Sequence, residues 1–198
     1  MRRKLKKRPA VFFDRDGTLI KDVGYLKHSA QVKLFSQTVW VLKILRKAGF
    51  YLFVVTNQSG VARGYFSEAE VKKVHQKIRL MLKAQGAKID AFFYCPHHPQ
   101  GKVKSLSKIC NCRKPSPGMV KQALRRYPID LKKSYAVGDK LDDVLLARNA
   151  KLAAGLLVRT GNGRKSEREL KERKLKNSVV VSNLTQAAKW ILSRKDMA

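Results

Sequence analysis

Two short acidic motifs could carry chemistry in this chain, which has 44 Lys and Arg residues but only 14 Asp and Glu. The first is DRDGT, with Asp14 and Asp16, and the second is GDKLDD, with Asp139, Asp142 and Asp143. Clustered carboxylates among so many cations indicate a divalent metal with oxygen ligands, and Mg²⁺ fits best. One of the last two aspartates is also expected to cap the helix that follows.

Two further motifs supply groups that bind phosphate. TNQSG offers the Thr56 hydroxyl and the N–H groups of a turn, and CRKP places the Lys114 ammonium before a helix. A hydroxyl, backbone N–H groups and a positive charge together bind phosphoryl oxygens. Each motif is unspecific when taken alone. The order DxDGT, a strand ending in Thr, Lys before a helix, and GDxxxD is much more specific.

This order of motifs resembles the haloacid dehalogenase superfamily of phosphohydrolases. The resemblance implies a Rossmann-like fold in which Asp14 is the nucleophile and forms an aspartyl-phosphate. Asp16 would be the general acid and base, and its spacing from Asp14 points both side chains the same way on an extended segment. Mg²⁺ would be held by Asp14, Asp139 and the backbone of Asp16, with Lys114 and Thr56 on the phosphoryl oxygens.

All three cysteines belong to a second metal-ligand pattern. The pattern is CxH, twelve residues, then CxC, and it consists of Cys95, His97, Cys110 and Cys112. Three thiolates and one imidazole suit a closed, tetrahedral, structural Zn²⁺, which would hold the loop from Pro96 to Asn111. His98 is a competing ligand because CPHHP contains two adjacent imidazoles. The alternative is a group of buried thiols without a metal, beside a surface histidine pair.

The cysteine pattern followed by CRKPSPGM, together with DVGY, TNQSGVARGYF and VGDKLDD, resembles one branch of the superfamily, the heptose bisphosphate phosphatases. The resemblance implies removal of the C7 phosphate from a heptose 1,7-bisphosphate. Histidinol-phosphate phosphatase domains are a closely similar alternative, and a nucleic-acid 3′-phosphatase is a more distant one. The resemblance implies a substrate site made of Asp22, Val23, Gly24, Tyr25, Thr56, Asn57, Gln58, Ser59, Arg113, Lys114 and Lys140. Arg113 is assigned to the second phosphate, at C1, because a guanidinium binds phosphate with two hydrogen bonds.

Short apolar runs alternate with amphipathic segments along the chain, which predicts an α/β fold with a mostly parallel sheet flanked by helices. The predicted strands are Ala10 to Phe13, Tyr51 to Val55, Ile89 to Tyr94, Ser134 to Val137 and Ala154 to Val158, with an edge strand at Ser178 to Val181. Helix starts are expected at Ser36, at Ser67 with Glu70, and at Ser116 before Pro117. Residues 161–177 are expected to form a loop or a short surface helix, and Leu184 to Arg194 a closing helix.

Length and composition favour one domain over residues 1–198, with a basic extension at residues 1–9 and no room for a separate cap domain. No segment suits a membrane helix or a secretory signal, so we expect a cytoplasmic monomer whose partner is a small sugar phosphate. The net charge of +30 exceeds what such a substrate requires. Phe12, Phe53 and Phe93 lie in predicted core strands, so we expect only weak electrostatic binding of nucleic acid.

Overall fold

The computed structural model describes residues 6–195, so the first five residues of the basic extension lie outside the described part. Its strands are β1 (Ala10–Phe13), β2 (Tyr51–Asn57), β3 (Ala91–Cys95), β4 (Tyr135–Gly138), β5 (Ala154–Val158) and β6 (Ser178–Val181). All neighbours pair in parallel, in the order β3-β2-β1-β4-β5-β6. The predicted α/β class with a parallel sheet is confirmed.

The helices of the described residues are α1 (Thr38–Lys47), α2 (Ser59–Ala62), α3 (Glu68–Ala84), α4 (Gly118–Leu124), α5 (Leu141–Asn149), α6 (Gly163–Glu172) and α7 (Leu184–Lys195). The capping box of Ser67 and Glu70 is present at the start of α3. Residues 161–177, for which the sequence allows a loop or a short surface helix, contain α6. The short α2 helix in TNQSGVA is a feature that the hydrophobic pattern did not predict.

Two predicted helix starts are wrong by one residue. The first helix has Gln37 at its N-cap in place of Ser36, and the buried Thr38 hydroxyl donates to the Leu19 carbonyl oxygen at 2.7 Å. In α4, Pro117 occupies the N-cap position, so the helix begins at Gly118. The reason is tertiary, because the Gly118 N–H donates to the Asn111 carbonyl oxygen at 2.8 Å, outside the helix.

Alternate residues of each strand point to opposite faces of the sheet, which gives the molecule a hydrophobic cluster on each face. Val11 and Phe13 of β1 join the cluster with α1, α3 and α7, whereas Ala10 and Phe12 join the cluster with α4 and α5. Every residue of β1 is buried. Because the helices cover both faces of the sheet, the carboxyl ends of the strands are where polar groups can collect.

Between the strands, the longest described segments without an α-helix are residues 14–37 and 96–117, each with a single 3₁₀ turn. Neither is large enough to be a cap domain. None of the helices among residues 6–195 is long and apolar enough to cross a membrane. The described end of the basic extension is packed on the body, because Arg8 pairs with Ile129 and its guanidinium lies 4.3 Å from the centroid of the Tyr51 ring.

Candidate active site

The carboxyl ends of three neighbouring strands bring the acidic and phosphate-binding motifs together. Asp14 follows β1, Thr56 lies near the end of β2, and Asp139 follows β4. Strands β2, β1 and β4 are adjacent in the sheet. Lys114 enters the same crevice from the turn before α4, one hundred residues after Asp14 in the chain. The fold therefore places residues from all four motifs around one crevice.

Lys114 lies at the centre of this crevice. Its Nζ donates to Asp14 Oδ1 at 2.7 Å, to Asp143 Oδ1 at 2.6 Å and to the Val55 carbonyl oxygen at 2.8 Å. The side chains of the ion pairs are at most 5% exposed. Burial lowers the pKa of Lys114, but the two carboxylates outweigh burial and raise the pKa above its usual range. Lys114 is therefore a fixed positive charge with all three ammonium hydrogens engaged.

The positive charges around Asp14 keep its carboxylate ionised. Burial raises the pKa of Asp14, but the charges of Lys114 and Lys140 outweigh it, so that the pKa lies below its usual range. The Asp14 N–H also donates to the Val137 carbonyl oxygen of β4 at 2.8 Å, which fixes the backbone at the strand end. A carboxylate that is ionised, buried and rigidly placed has the properties that a nucleophile needs.

Three buried carboxylates face one another at the crevice. Asp14, Asp139 and Asp143 each have an oxygen within 4.8 Å of the others. Burial, followed by the Asp14 charge, raises the pKa of Asp139 to about 7. Asp139 Oδ1 is buried and has no hydrogen-bond partner among the described residues. Because a buried acceptor without a donor is costly, this set of oxygens fits a divalent cation such as Mg²⁺.

Asp143 makes a helix-capping contact and also an ion pair with Lys114. Its Oδ2 accepts from the Lys140 N–H at 3.0 Å, which is the helix-capping contact expected of one of the two aspartates in GDKLDD. Its Oδ1 accepts from Lys114. The motif analysis counts Asp143 among the clustered carboxylates and offers it as a helix cap, but it does not predict the contact with Lys114. Burial raises its pKa to about 6, while the Lys114 charge opposes that shift.

The Asp16 carboxylate lies apart from these three carboxylates. Both its oxygens accept from Arg15, with the shortest contact from Nη2 at 2.9 Å, and Oδ2 also accepts from Gln58 Nε2 at 3.0 Å. The expectation that the Asp14 and Asp16 side chains point the same way assumes an extended chain. Strand β1 ends at Phe13, and the turn that follows is not extended, so the two-residue alternation of a strand does not apply there. Arg15 is 1% exposed, and sequence reasoning missed its part in the site.

The Asp16 carboxylate opens onto a groove of about 220 Å³. The groove is lined by Asp16, Asp22, Gly24, Tyr25, Leu26, Asn57, Gln58, Ser59, Gly60, Phe66 and Lys140. Most of the expected substrate residues are therefore brought together, but four do not line the groove, namely Val23, Thr56, Arg113 and Lys114. Thr56 and Lys114 line a small neighbouring cavity instead. Lys140 and Asn57 also line the small cavity that contains Asp14 and Lys114, so the groove adjoins Asp14.

The residues of TNQSG hold the crevice in shape. The Thr56 hydroxyl is buried and accepts from Gln58 Nε2 at 2.9 Å. Asn57 pairs with the backbone of Lys114, accepting from its N–H at 2.9 Å and donating to its carbonyl oxygen at 3.1 Å. Through these contacts the end of β2 positions Lys114, and Gln58 contacts Asp16.

The three cysteines and His97 form a second cluster in the loop after β3. Cys112 Sγ lies 3.2 Å from Cys95 Sγ, 3.4 Å from Cys110 Sγ and 3.3 Å from His97 Nδ1. Cys95 Sγ lies 3.5 Å from Cys110 Sγ and 3.7 Å from His97 Nδ1. Zn–S bonds of about 2.3 Å in a tetrahedron separate the sulfurs by roughly 3.8 Å, so the four atoms are spaced almost as zinc ligands.

His98 is engaged elsewhere. Its Nδ1 accepts from the Gln100 N–H at 3.1 Å, and its Nε2 lies 3.2 Å from Arg63 Nη2. The half-buried Arg113 lies on the same side, and its Nη1 is 3.4 Å from the His97 carbonyl oxygen. Burial, and then the charges of Arg113 and Arg63, lowers the pKa of His98. Two guanidinium groups therefore flank His98 beside the cysteine cluster.

A parallel sheet with helices on both faces, an ionised aspartate after its first strand, a buried lysine paired to that aspartate and further carboxylates after the fourth strand define the haloacid dehalogenase class of hydrolases. A family model described as HAD-hydrolase-like matches residues 111–187. This match includes the lysine turn and the second acidic motif.

Relatives and solved structures narrow the class. The D-glycero-beta-D-manno-heptose-1,7-bisphosphate 7-phosphatase of Escherichia coli K12 is 43% identical over 153 residues, which cover 77% of this chain and 80% of the relative. The D-glycero-alpha-D-manno-heptose-1,7-bisphosphate 7-phosphatase of Photorhabdus laumondii is 39% identical over 181 residues, covering 91% and 95%. The crystal structure of D,D-heptose 1,7-bisphosphate phosphatase from B. bronchiseptica, complexed with magnesium and phosphate, has a TM-score of 0.80 and 34% identity, covering 94% of this chain and 99% of that chain.

The chain belongs to the D-glycero-D-manno-heptose 1,7-bisphosphate 7-phosphatase family of the haloacid dehalogenase superfamily. The resemblance inferred from the motifs is thereby confirmed, as is the assignment of the chain to the phosphatases. The histidinol-phosphate alternative is not supported by these relatives.

Proposed function

We propose that this chain removes the C7 phosphate of D-glycero-D-manno-heptose 1,7-bisphosphate through an aspartyl-phosphate on Asp14. The observation that carries the proposal is the buried ion pair between Asp14 and Lys114, which lies beside the groove that contains Asp16. The names of the relatives support the substrate. They include both the alpha and the beta anomer, so either anomer is a candidate.

In the proposed first step, an Asp14 oxygen attacks phosphorus while the bond from phosphorus to the C7 oxygen breaks. Lys114 and the Thr56 hydroxyl would contact the phosphoryl oxygens, where negative charge develops. The charge of Lys114 supports this role. All three of its ammonium hydrogens are already donated, so Lys114 would have to exchange one of these contacts for a phosphoryl oxygen.

Asp16 would transfer the protons. It gives a proton to the C7 alkoxide as that group leaves, and in the second step it takes a proton from the water that attacks the aspartyl-phosphate. Inorganic phosphate leaves and Asp14 is restored. Arg15 and Gln58 already donate to the oxygens of Asp16, so this side chain must exchange some of these hydrogen bonds for the C7 oxygen.

We propose that Asp14, Asp139 and the backbone carbonyl of Asp16 hold Mg²⁺. The buried, unpaired Asp139 Oδ1 and the raised pKa of Asp139 support this ligand set, because both indicate excess negative charge in the crevice. When bound, the ion neutralises charge between the anionic nucleophile and the anionic phosphate.

We propose a structural Zn²⁺ on Cys95, His97, Cys110 and Cys112. The spacing of the four ligand atoms supports it, and His97 is favoured over His98 because His98 is hydrogen-bonded outside the cluster. The site would place Arg113 and Lys114, which follow the last cysteine directly.

Arg113 is proposed to bind the C1 phosphate, with Arg63 as a second cation. Arg113 does not line the groove, but the two guanidinium groups beside His98 form a positive region on the zinc-loop side of the site. A C1 phosphate bound there would place the sugar between Arg113 and Asp14. The expected consequence is faster cleavage of the bisphosphate than of the matching monophosphate.

A phosphate-release panel tests the substrate. Heptose 1,7-bisphosphate should be hydrolysed much faster than heptose 7-phosphate, histidinol phosphate or a 3′-phosphorylated oligonucleotide. Arg113→Ala should remove most of the preference for the bisphosphate, whereas Arg125→Ala, at an exposed arginine after α4, should retain it. Equal rates on the two heptose phosphates, or a preference for histidinol phosphate, would contradict the proposal.

The oligonucleotide in this panel tests whether the high positive charge of the protein serves to bind nucleic acid. Phe12 and Phe53 are fully buried and Phe93 is nearly so, so these rings cannot stack on exposed bases. We expect nucleic-acid binding to be weak and to disappear by moderate salt. We also propose that the protein is a monomer and lies in the cytoplasm. The absence of disulfides among its three cysteines supports the location.

A further inference from the structure

The turn after β5, residues 160–162, closes around the metal-binding carboxylate proposed above. Asp139 Oδ2 accepts from the Asn162 N–H at 2.7 Å and from Asn162 Nδ2 at 3.2 Å. These contacts occupy one oxygen of Asp139 and leave only Oδ1 without a partner. The turn lies beyond the segment that carries the four motifs, so nothing in those motifs indicates it.

Two glycines show how tightly this turn is built. A Cβ atom on Gly17 would lie 2.4 Å from Asp139 Oδ2, and a Cβ on Gly161 would lie 2.3 Å from the same oxygen. Both glycines have positive φ angles, 77° and 54°. The Thr160 hydroxyl donates to the Gly17 carbonyl oxygen at 2.6 Å and ties the two turns together. Asp139 is therefore enclosed by backbone on both sides.

Asn162 also contacts Asp22, which lines the groove. Its Nδ2 lies 3.3 Å from Asp22 Oδ2. Because an amide nitrogen carries two hydrogens, Asn162 donates to the carboxylates of both Asp22 and Asp139. Asp22 is further held by the Gly24 N–H, which donates to Oδ1 at 2.8 Å. Asn162 is the N-cap residue of α6, yet its side chain makes no capping hydrogen bond. The contacts of this side chain are thus directed to the site and not to its own helix.

We propose that Asn162 is a positioning residue that couples metal binding at Asp139 to the placement of Asp22 in the substrate groove. The inference rests on the proposed function for the metal and for the sugar. A cation on Oδ1 would restrict rotation of the Asp139 carboxylate. Oδ2 would then hold the Asn162 amide in the orientation that also contacts Asp22. Coupling is reciprocal, so sugar hydroxyls bound by Asp22 would in turn strengthen metal binding.

The first test measures the metal alone. Asn162→Ala retains the backbone N–H that donates to Asp139, so the turn should still form. Mg²⁺ titrated into the substrate-free protein by calorimetry should bind about tenfold more weakly in this variant, as is typical when a residue supporting a metal ligand is lost. Asn183→Ala is the matched control, because it removes a contact with the Gln186 N–H at 3.2 Å in α7 and should leave Mg²⁺ affinity unchanged.

The second test measures the coupling. In the parent protein, heptose 1-phosphate, the product, should increase Mg²⁺ affinity several-fold, and in Asn162→Ala this factor should fall close to one. Asp22→Ala should also abolish the factor, and the double variant should show no further loss. A purely structural role would lower the melting temperature of the metal-free protein and leave the factor intact.

Unchanged Mg²⁺ affinity together with an unchanged coupling factor would overturn the inference. Failure of the proposed function gives a different pattern, since the parent protein would then not hydrolyse the heptose bisphosphate. The Mg²⁺ titration without sugar still decides whether Asn162 positions Asp139, and the coupling experiment then uses the product of the substrate that the panel identifies.

Discussion

The carboxylate crevice and the cysteine cluster differ in their burial and in the elements that support them. The crevice has three carboxylates on rigid strand and helix ends, all buried, with Lys114 among them and one oxygen of Asp139 left unpaired. The cysteine cluster consists of Cys95, at the end of β3, and three residues of the following loop, which contains a 3₁₀ turn. Three of the four residues are partly exposed. Its ligand atoms are already spaced for a tetrahedral ion.

The difference predicts which part of the site would depend on a metal for its shape. The crevice is supported by the sheet and by a lysine that neutralises two of its carboxylates, so its fold does not need an ion. The cysteine loop has little hydrophobic support of its own, and an ion would organise it. Exchange should therefore be easy at the oxygen ligands and slow at the sulfur ligands.

The largest expected effect is that of Asp14→Asn. An amide cannot attack phosphorus, so kcat should fall by at least about 10⁴-fold while the fold and phosphate binding persist. Steady-state phosphate release and circular dichroism measure both properties. Asp16→Asn should lose roughly 10² to 10⁴-fold, and Asp130→Asn, at a 3₁₀ turn remote from the motifs, should lose nothing. Full activity of Asp14→Asn would end the mechanism.

The second prediction addresses the support of the crevice. Lys114→Met leaves Asp14 and Asp143 buried without their common partner, so the free energy of unfolding should fall by about 3–5 kcal/mol. Urea unfolding measures the change. Lys171→Met removes the exposed pair with Glu167 and should change stability little. Equal stability of both variants would show that the crevice does not depend on its lysine.

The third prediction contrasts the two metals directly. Brief chelation followed by dialysis should abolish activity, and added Mg²⁺ should restore it, while about one zinc per chain survives the treatment. Elemental analysis before and after chelation measures both ions. A fully active protein without zinc would show that the cysteines are merely buried thiols.

The smallest effect on activity is expected from the two histidines. His97→Ala should lower zinc content and raise the hydrogen-exchange rate of the loop from Pro96 to Asn111, with a several-fold loss of activity through Arg113 and Lys114. His98→Ala should retain zinc, because His98 contacts Arg63 and Gln100 instead. Zinc loss in His98→Ala with retention in His97→Ala would reverse the assignment.

Local patterns were sufficient to predict the strands and most helices. Four-residue apolar runs such as Ala10–Phe13 are buried on both faces, and Ser67 with Glu70 marks the start of α3 in the sequence itself. The errors at Ser36 and Ser116 arose where a distant contact set the helix start. Thr38 is anchored by Leu19, and Gly118 by Asn111, and neither contact has a local signal.

The sequence by itself determined the fold class, the family and the residue types at the site, because motif order and spacing record which groups follow which strand. Only the tertiary structure decided how those groups are paired. Lys114 lies between Asp14 and Asp143, Asp16 is bound by Arg15, and Asp139 is enclosed by the turn of Asn162. Orientation of a side chain in a turn and contacts between distant loops depend on the packing of the whole sheet, so a one-dimensional pattern does not contain them.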